Sequence, residues 1–194
     1  GREDMIFNYK VGFDSDGKIT ALEYDMFANG GMSRDNSLED TDMAMLWADN
    51  AYYFPNYNGN AFVCQTNLPS CTSVRAPGCL NSALTTEVII QSIASYLNKP
   101  VLDIQELNFY KDGDSTFYGQ KIENSTMKET WNSILKSSNF KERNKKVQDF
   151  NAKNRWVKRG IYISPTKYGI GHAGTKSGAK LSVYEGDGTI NITH

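Results

Sequence analysis

Residues 60–97, NAFVCQTNLPSCTSVRAPGCLNSALTTEVIIQSIASYL, decide how this chain is read. An apolar extended run from Ala61 to Cys64 enters a loop that carries Arg75, Pro77 and Gly78, and a helix is expected to begin near Asn81 or Ser82. Strand, tight loop and helix in that order build a ligand-facing corner. The first N–H groups of a helix have no intrahelical partner and, with the helix dipole, favour an anion there. A guanidinium just upstream adds a planar, always-charged fork suited to phosphate or another oxyanion. Gly78 has no Cβ, so its backbone can approach a bound group closely. The alternative is structural: Arg75 pairs with a carboxylate and Gly78 turns the chain.

Working outward, Leu84, Val88, Ile93 and Leu97, with Ile89 and Ile90, give the helix after Arg75 a broad apolar stripe expected to be buried core. Upstream, residues 8–27 read as a β-hairpin turning at Asp14-Ser15-Asp16-Gly17. Ser37 with Asp40 three residues on is a capping pattern for a helix running to about Asn50, with Met43, Leu46 and Trp47 on neighbouring faces. Pro55 and Gly59 break the chain before the strand that leads to the corner.

Downstream, Lys99-Pro100 starts a short helix to about Phe109, and the polar residues 111–124 form a connection. Thr126 and Glu129 make a capping-box pattern for a helix containing Trp131, Ile134 and Leu135. Residues 139–154 read as a strongly charged helix with Phe140, Val147 and Phe150 as anchors and an otherwise solvated face. Trp156–Ile163 reads as a strand, Gly169–Gly178 as a loop and Lys180–His194 as a hairpin turning at Asp187-Gly188. The alternation at Ile190–Thr193 continues to the last residues, which suggests an excerpt of a longer polypeptide. The fold class expected is α+β, mixed sheets with packed helices.

Composition excludes several classes. At 39% hydrophobic and 22% charged, 194 residues suffice for a buried core, and a net charge of −1 gives no reason to expect nucleic acid or an anionic membrane as partner. No apolar run approaches the ~20 residues of a spanning helix. Cys64, Cys71 and Cys79 are odd in number and close in sequence, which suits reduced thiols, and with two histidines they match no zinc pattern. No phosphate-binding Gly-rich loop or nucleophile motif occurs. Gly169-x-Gly171-x-x-Gly174 has the letters of a dinucleotide fingerprint but lacks the following helix. Lone carboxylates such as Glu87 and Asp114 suit packing and caps.

Gln65-Thr66-Asn67-Leu68 followed by Val74-Arg75-Ala76-Pro77-Gly78 resembles the molybdenum-cofactor region of the molybdenum hydroxylases, the xanthine dehydrogenase and aldehyde oxidase family. The resemblance also runs through Lys10-Val11-Gly12-Phe13, Tyr110-Lys111-Asp112-Gly113-Asp114, Trp156-Val157-Lys158-Arg159-Gly160 and Pro165-Thr166-Lys167-Tyr168-Gly169-Ile170, then Val183-Tyr184 to His194. It implies residues 1–110 as the end of a first molybdenum-cofactor-binding subdomain, 111–125 as a connection and 126–194 as the start of a second. It implies a molybdenum-molybdopterin cofactor whose dithiolene holds the metal, with Arg75, Ala76 and Gly78 as cofactor-binding residues and no protein ligand to the metal. The family's glutamate base, its upstream glycine-rich loop and its Gly-Gly-Thr-Glu-Met-Gly-Gln-Gly continuation are not among these residues, so no catalytic residue is expected here. The 2Fe-2S clusters and FAD that carry electrons onward are expected in other domains of a cytoplasmic, homodimeric parent.

Departures from the family point to a branch. Counted without a gap from Lys10-Val11-Gly12-Phe13 to Asp49-Asn50, the arginine with which purine-oxidising members orient substrate falls on Met43. The aromatic usually two residues after the motif arginine is Pro77, and a second pocket aromatic becomes His172. Trp47 and Ala173 are assigned to the same substrate pocket. The resemblance therefore implies an enzyme oxidising aldehydes, with N-heterocycles as a second substrate class and water as the oxygen source. The alternatives are a xanthine dehydrogenase with an altered pocket and an inactive relative serving as a structural or binding module.

Overall fold

The structure, a computed structural model, describes residues 1–168 and 178–193. Its first turn is made by Asp14, whose Oδ1 accepts the N–H groups of Asp16, Gly17 and Lys18 at 2.9, 3.0 and 2.9 Å. That turn joins β1 (Met5–Phe13) to β2 (Ile19–Gly31) in antiparallel pairing. Along β2 the residues Leu22, Tyr24, Met26 and Ala28 alternate into the core, the period of two that a half-covered strand requires. Strand β3 (Tyr57–Gln65) pairs with β2 in parallel, giving the order β1-β2-β3. A parallel pair needs a crossover, and α1 (Ser37–Leu46) lies within it.

Helices α2 (Cys79–Leu97) and α3 (Val101–Asn108) complete the core. Ile89, Ile90, Ile93 and Ile104 are buried there with Tyr24, Met26, Trp47 and Tyr52. The expected stripe on α2 is corrected in part: Leu84 and Val88 are 65% and 44% exposed. The core takes the face bearing Ile89, Ile90, Ile93 and Ala94, because the helix rests on α1 at its start and on α3 toward its end. The far face of the sheet keeps its own apolar rung. Ile6 pairs with Phe27 and Phe27 with Phe62, the two rings stacking at 5.2 Å.

Neither capping box forms. Asn36 precedes α1 without a side-chain cap bond, Ser37 lies inside the first turn, and its hydroxyl goes to Glu3 Oε1 instead. Thr126 precedes α4 (Met127–Ser137) without a cap bond, and the Met127 N–H turns to Ser125 Oγ. Helix α1 stops at Leu46 rather than near Asn50, since residues 47–51 form turns and Asn50 takes φ +47°.

A short link with Asn139 at φ +48° leads from α4 into α5 (Phe140–Lys153), whose charged residues are exposed and whose Phe140 is buried. The strand expected at Trp156–Ile163 is absent. Those residues find side-chain partners in place of a ladder: Asn151 Oδ1 accepts the Arg159 N–H at 2.8 Å, and Gln105 Nε2 donates to the Ile163 carbonyl at 3.0 Å. Strands β4 (Lys180–Val183) and β5 (Ile190–Thr193) form an antiparallel hairpin around Gly188, at φ +72°. Helices, two antiparallel pairs and a parallel pair together make the α+β class.

Candidate functional site

The corner between β3 and α2 is held from both sides. Thr66 Oγ1 donates to Asn29 Oδ1 at 2.8 Å and its N–H to the Gly31 carbonyl at 3.0 Å, while the Met32 N–H reaches the Leu68 carbonyl at 2.9 Å. These bonds fix the start of the loop on the end of β2. Its far end is gripped by Arg2, whose guanidinium donates to the carbonyls of Arg75 and Ala76 at 2.7 and 3.0 Å. Ala76 and Gly78 take φ +59° and +65°, left-handed positions that reverse the chain into α2. For Ala76 that conformation is a local strain, overcome by the surrounding bonds.

Gly78 is spent on packing. A Cβ there would stand 2.1 Å from the Asp40 carbonyl oxygen and 2.4 Å from the Ala44 nitrogen, so the missing side chain lets α2 begin against the backbone of α1. Helix α2 then starts at Cys79 with no side-chain cap and no acidic residue in its first turn. Arg75 is exposed, and among the described residues its guanidinium makes no hydrogen bond or ion pair. Among the described residues, then, the fold builds no Arg75–carboxylate pair.

Met43, half-buried on α1, precedes the Ala44 on which Gly78 rests. Pro77 and Ala76 are half-buried in the loop. Trp47 is 1% exposed and packs on Tyr168 at 5.6 Å between ring centroids, inside the core and away from solvent. His172 and Ala173 lie outside the described residues, as does the Gly169–Gly174 pattern. Arg75, Ala76, Pro77 and Gly78 form one corner against the Met43 helix. Trp47 approaches it only through α1.

Three buried ionic clusters lie behind this corner. Asp49 Oδ2 accepts from Lys167 Nζ and, at 2.7 Å, from the Tyr110 hydroxyl. The Lys167 ammonium also sits 5.0, 5.3 and 5.7 Å from the ring centroids of Tyr118, Tyr110 and Trp47. Burial pushes the Asp49 carboxyl up and the Lys167 ammonium down, and their mutual attraction works against both shifts. Glu87 accepts from Asn50, Tyr52, Gln105 and Tyr162 at 2.9, 2.8, 3.0 and 2.6 Å. Desolvation still raises its carboxyl above the usual range, against those four donors. Glu3 and Asp40 form the third cluster, beneath the loop itself.

Asn50 ties the segment after α1 to residues 165–167. Its Nδ2 donates to the Pro165 carbonyl at 2.9 Å and its Oδ1 accepts the Lys167 N–H at 3.1 Å. Sequence marks Glu87 as a packing carboxylate, Asp40 as part of a helix cap, and Tyr110 and Lys167 as members of family-like stretches, and joins none of them into these clusters. Glu87 shares an i, i+3, i+7 face with Ile90 and Ala94, and a carboxylate on a buried apolar face needs partners. Arg2, Glu3, Asp40, Asp49 and Lys167 carry no such periodic signal.

Family models described as "Molybdopterin cofactor-binding domain" match residues 1–109 and residues 133–194. The chain is 43% identical over 196 residues to a xanthine dehydrogenase of Oryza sativa subsp. japonica, covering 100% of this chain and 14% of that one. It is 39% identical over 197 residues to a xanthine dehydrogenase/oxidase of Gallus gallus, with the same coverage of each chain. Among solved structures it is similar to the aldehyde oxidoreductase of Desulfovibrio desulfuricans, with TM-score 0.70, 24% identity and coverage of 76% of this chain and 16% of that one. Quinoline 2-oxidoreductase of Pseudomonas putida gives TM-score 0.68 and 18% identity, covering 78% and 20%. At those identities the structural likeness speaks to the fold alone.

Proposed function

The chain belongs to the molybdopterin cofactor-binding domain family, and from that premise we propose that it forms part of the cofactor region of a molybdenum hydroxylase. The observation that carries this onto residues is the open Arg75 guanidinium beside the uncapped, acid-free start of α2. An oxyanion-rich pyranopterin needs donors and positive charge, and this corner offers both. Arg75 would supply the charge, while Ala76 and Gly78 hold the backbone turn that presents it. Arg2 acts through the loop, fixing its carbonyls so that Arg75 keeps its side chain free. Bound, the group supplies the two-electron acceptor for oxidation of an electron-poor carbon with oxygen from water.

The chain spans 14% of the length of the relatives named above. The glutamate base, the 2Fe-2S clusters and the FAD are accordingly assigned to other domains of a longer, homodimeric polypeptide. Within this chain, residues 1–110 close one cofactor subdomain, 111–125 connect, and 126–194 open the next.

The substrate class we assign is aldehydes, with simple N-heterocycles second. Met43 supports it: a half-buried thioether beside the Arg75 corner offers no charge to pin purine oxygens, and a pocket lacking such a group gives up the corresponding discrimination. A xanthine-oxidising reading has its own support in the names of the relatives. The test compares kcat/KM for an aromatic aldehyde, an aliphatic aldehyde and xanthine on the purified full-length enzyme, with and without Met43→Arg. Aldehyde preference, with xanthine turnover rising in Met43→Arg, is expected. Efficient xanthine turnover by the unmodified enzyme moves the reading to xanthine dehydrogenase, and no turnover of any of them moves it to a binding module.

A further inference from the structure

The carboxyl groups of Glu3 and Asp40 lie beneath the Arg75 loop, 2% and 1% exposed, near enough for a side-chain hydrogen bond between them. Glu3 precedes β1 and Asp40 lies on α1, so two separate elements bring them together. Each has one oxygen with a partner. The Ser37 hydroxyl donates to Glu3 Oε1 at 3.2 Å, and the Ser73 hydroxyl donates to Asp40 Oδ1 at 2.6 Å. The other two oxygens, Glu3 Oε2 and Asp40 Oδ2, are buried without a partner.

Two carboxylates in contact in a low-dielectric site cannot both stay ionised cheaply, and an unpaired buried charge is costlier than an unpaired neutral group. The charged groups around the pair do not neutralise it. Arg2 spends its guanidinium on the Arg75 and Ala76 carbonyls, Arg34 pairs with Glu39, and Arg75 is exposed. Asp4 and Asp35 add negative charge from the same segments, and burial keeps the Cys79 thiol protonated by pushing it up. Among the described residues no group of three or more His, Cys, Asp or Glu side chains could hold a metal ion instead.

We propose that the Glu3 carboxyl keeps its proton and donates it in a hydrogen bond to the Asp40 carboxylate, and that this bond fastens residues 1–5 to α1 and so keeps Arg2 on the loop that carries Arg75. A neutral Glu3 carboxyl has a proton to donate, and the Asp40 carboxylate has an oxygen free to accept it. Desolvation first, and then the Asp40 charge, raises the Glu3 carboxyl above its ordinary range, in keeping with this arrangement. When pH rises through that raised pKa the proton leaves to water, the two charges repel, and the grip of Arg2 on the Arg75 and Ala76 carbonyls loosens. The loop then responds to proton occupancy at a site that does not touch substrate.

Infrared spectra in D2O separate neutral carboxyl from carboxylate bands. Near neutral pH, the whole chain should show a neutral-carboxyl component that is lost, by one group's intensity, in both Glu3→Gln and Asp40→Asn. Each amide donates to the surviving carboxylate and lets it ionise. Asp49→Asn and Glu87→Gln, which alter the other two buried carboxyls, should leave that component in place. Its persistence in both Glu3→Gln and Asp40→Asn, or its absence from the unmodified chain, overturns the proposal. A measurement without substitutions guards against misfolded variants. Amide exchange protection of residues 2–5 and 73–78, corrected for intrinsic rate, should fall with rising pH in step with the neutral-carboxyl band, and protection that ignores the band contradicts the coupling.

Discussion

Gly78 lies so close to Asp40 that a Cβ on the glycine would stand 2.1 Å from the aspartate carbonyl oxygen. This contact sets α2 against α1 and brings the Arg75 loop to the Met43 helix. Because it joins two backbones, no side-chain movement can relieve an added methyl group.

Gly78→Ala should therefore destabilise the fold strongly. Forcing an L-residue into φ +65° costs about 1–2 kcal/mol, and overpacking against backbone adds roughly 1–3 kcal/mol. Denaturant unfolding should show a loss of about 2–5 kcal/mol, the sum of those two. An unchanged midpoint would mean that α1 and α2 are not in this contact.

Lys167→Met should cost about 3–5 kcal/mol, because it strands the fully buried Asp49 without its cation. Adding Asp49→Leu should recover most of the loss by removing the stranded charge. A double-mutant cycle in chemical denaturation checks this. Additive losses would place Lys167 and Asp49 in separate environments.

Glu87→Gln should flatten the pH dependence of stability. Desolvation raises the folded-state pKa of Glu87, so the folded chain holds more protons than the unfolded chain between the ordinary glutamate pKa and the raised one. Unfolding free energy then falls as pH rises through that window, and the contribution is intact below it. Glu3 and Asp49 are shifted the same way and keep part of the slope in the variant. Parallel curves for the two proteins would contradict the burial of an ionisable Glu87.

The hairpin at Asp14–Gly17, the strand into the corner and the Arg75–Gly78 reversal were legible because turn chemistry and apolar alternation are local signals. The parallel pairing of β2 with β3 was not, since nothing local distinguishes it. Trp156–Ile163 has a strand's alternation, but its carbonyls and amides bind the side chains of Asn151 and Gln105 instead of another strand. Ser37 and Thr126 carry the letters of caps, and Ser37 is claimed by Glu3 from outside its helix. At Gly78, sequence shows that a Cβ is missing, and only the fold shows that the α1 backbone fills the space. Asp49 and Lys167, 118 residues apart, carry no mutual signal in sequence.

The central claim is that Arg75 serves a bound oxyanion-rich group rather than the fold. Arg75→Ala in the full-length enzyme, assayed together for thermal stability, molybdenum content and turnover, tests it most directly. Because the side chain is exposed and unpaired among the described residues, stability should stay within about 0.5 kcal/mol. Turnover should fall by roughly 10²–10³, the usual effect of losing one well-placed electrostatic contact. A variant with full molybdenum content and undiminished turnover would contradict the account.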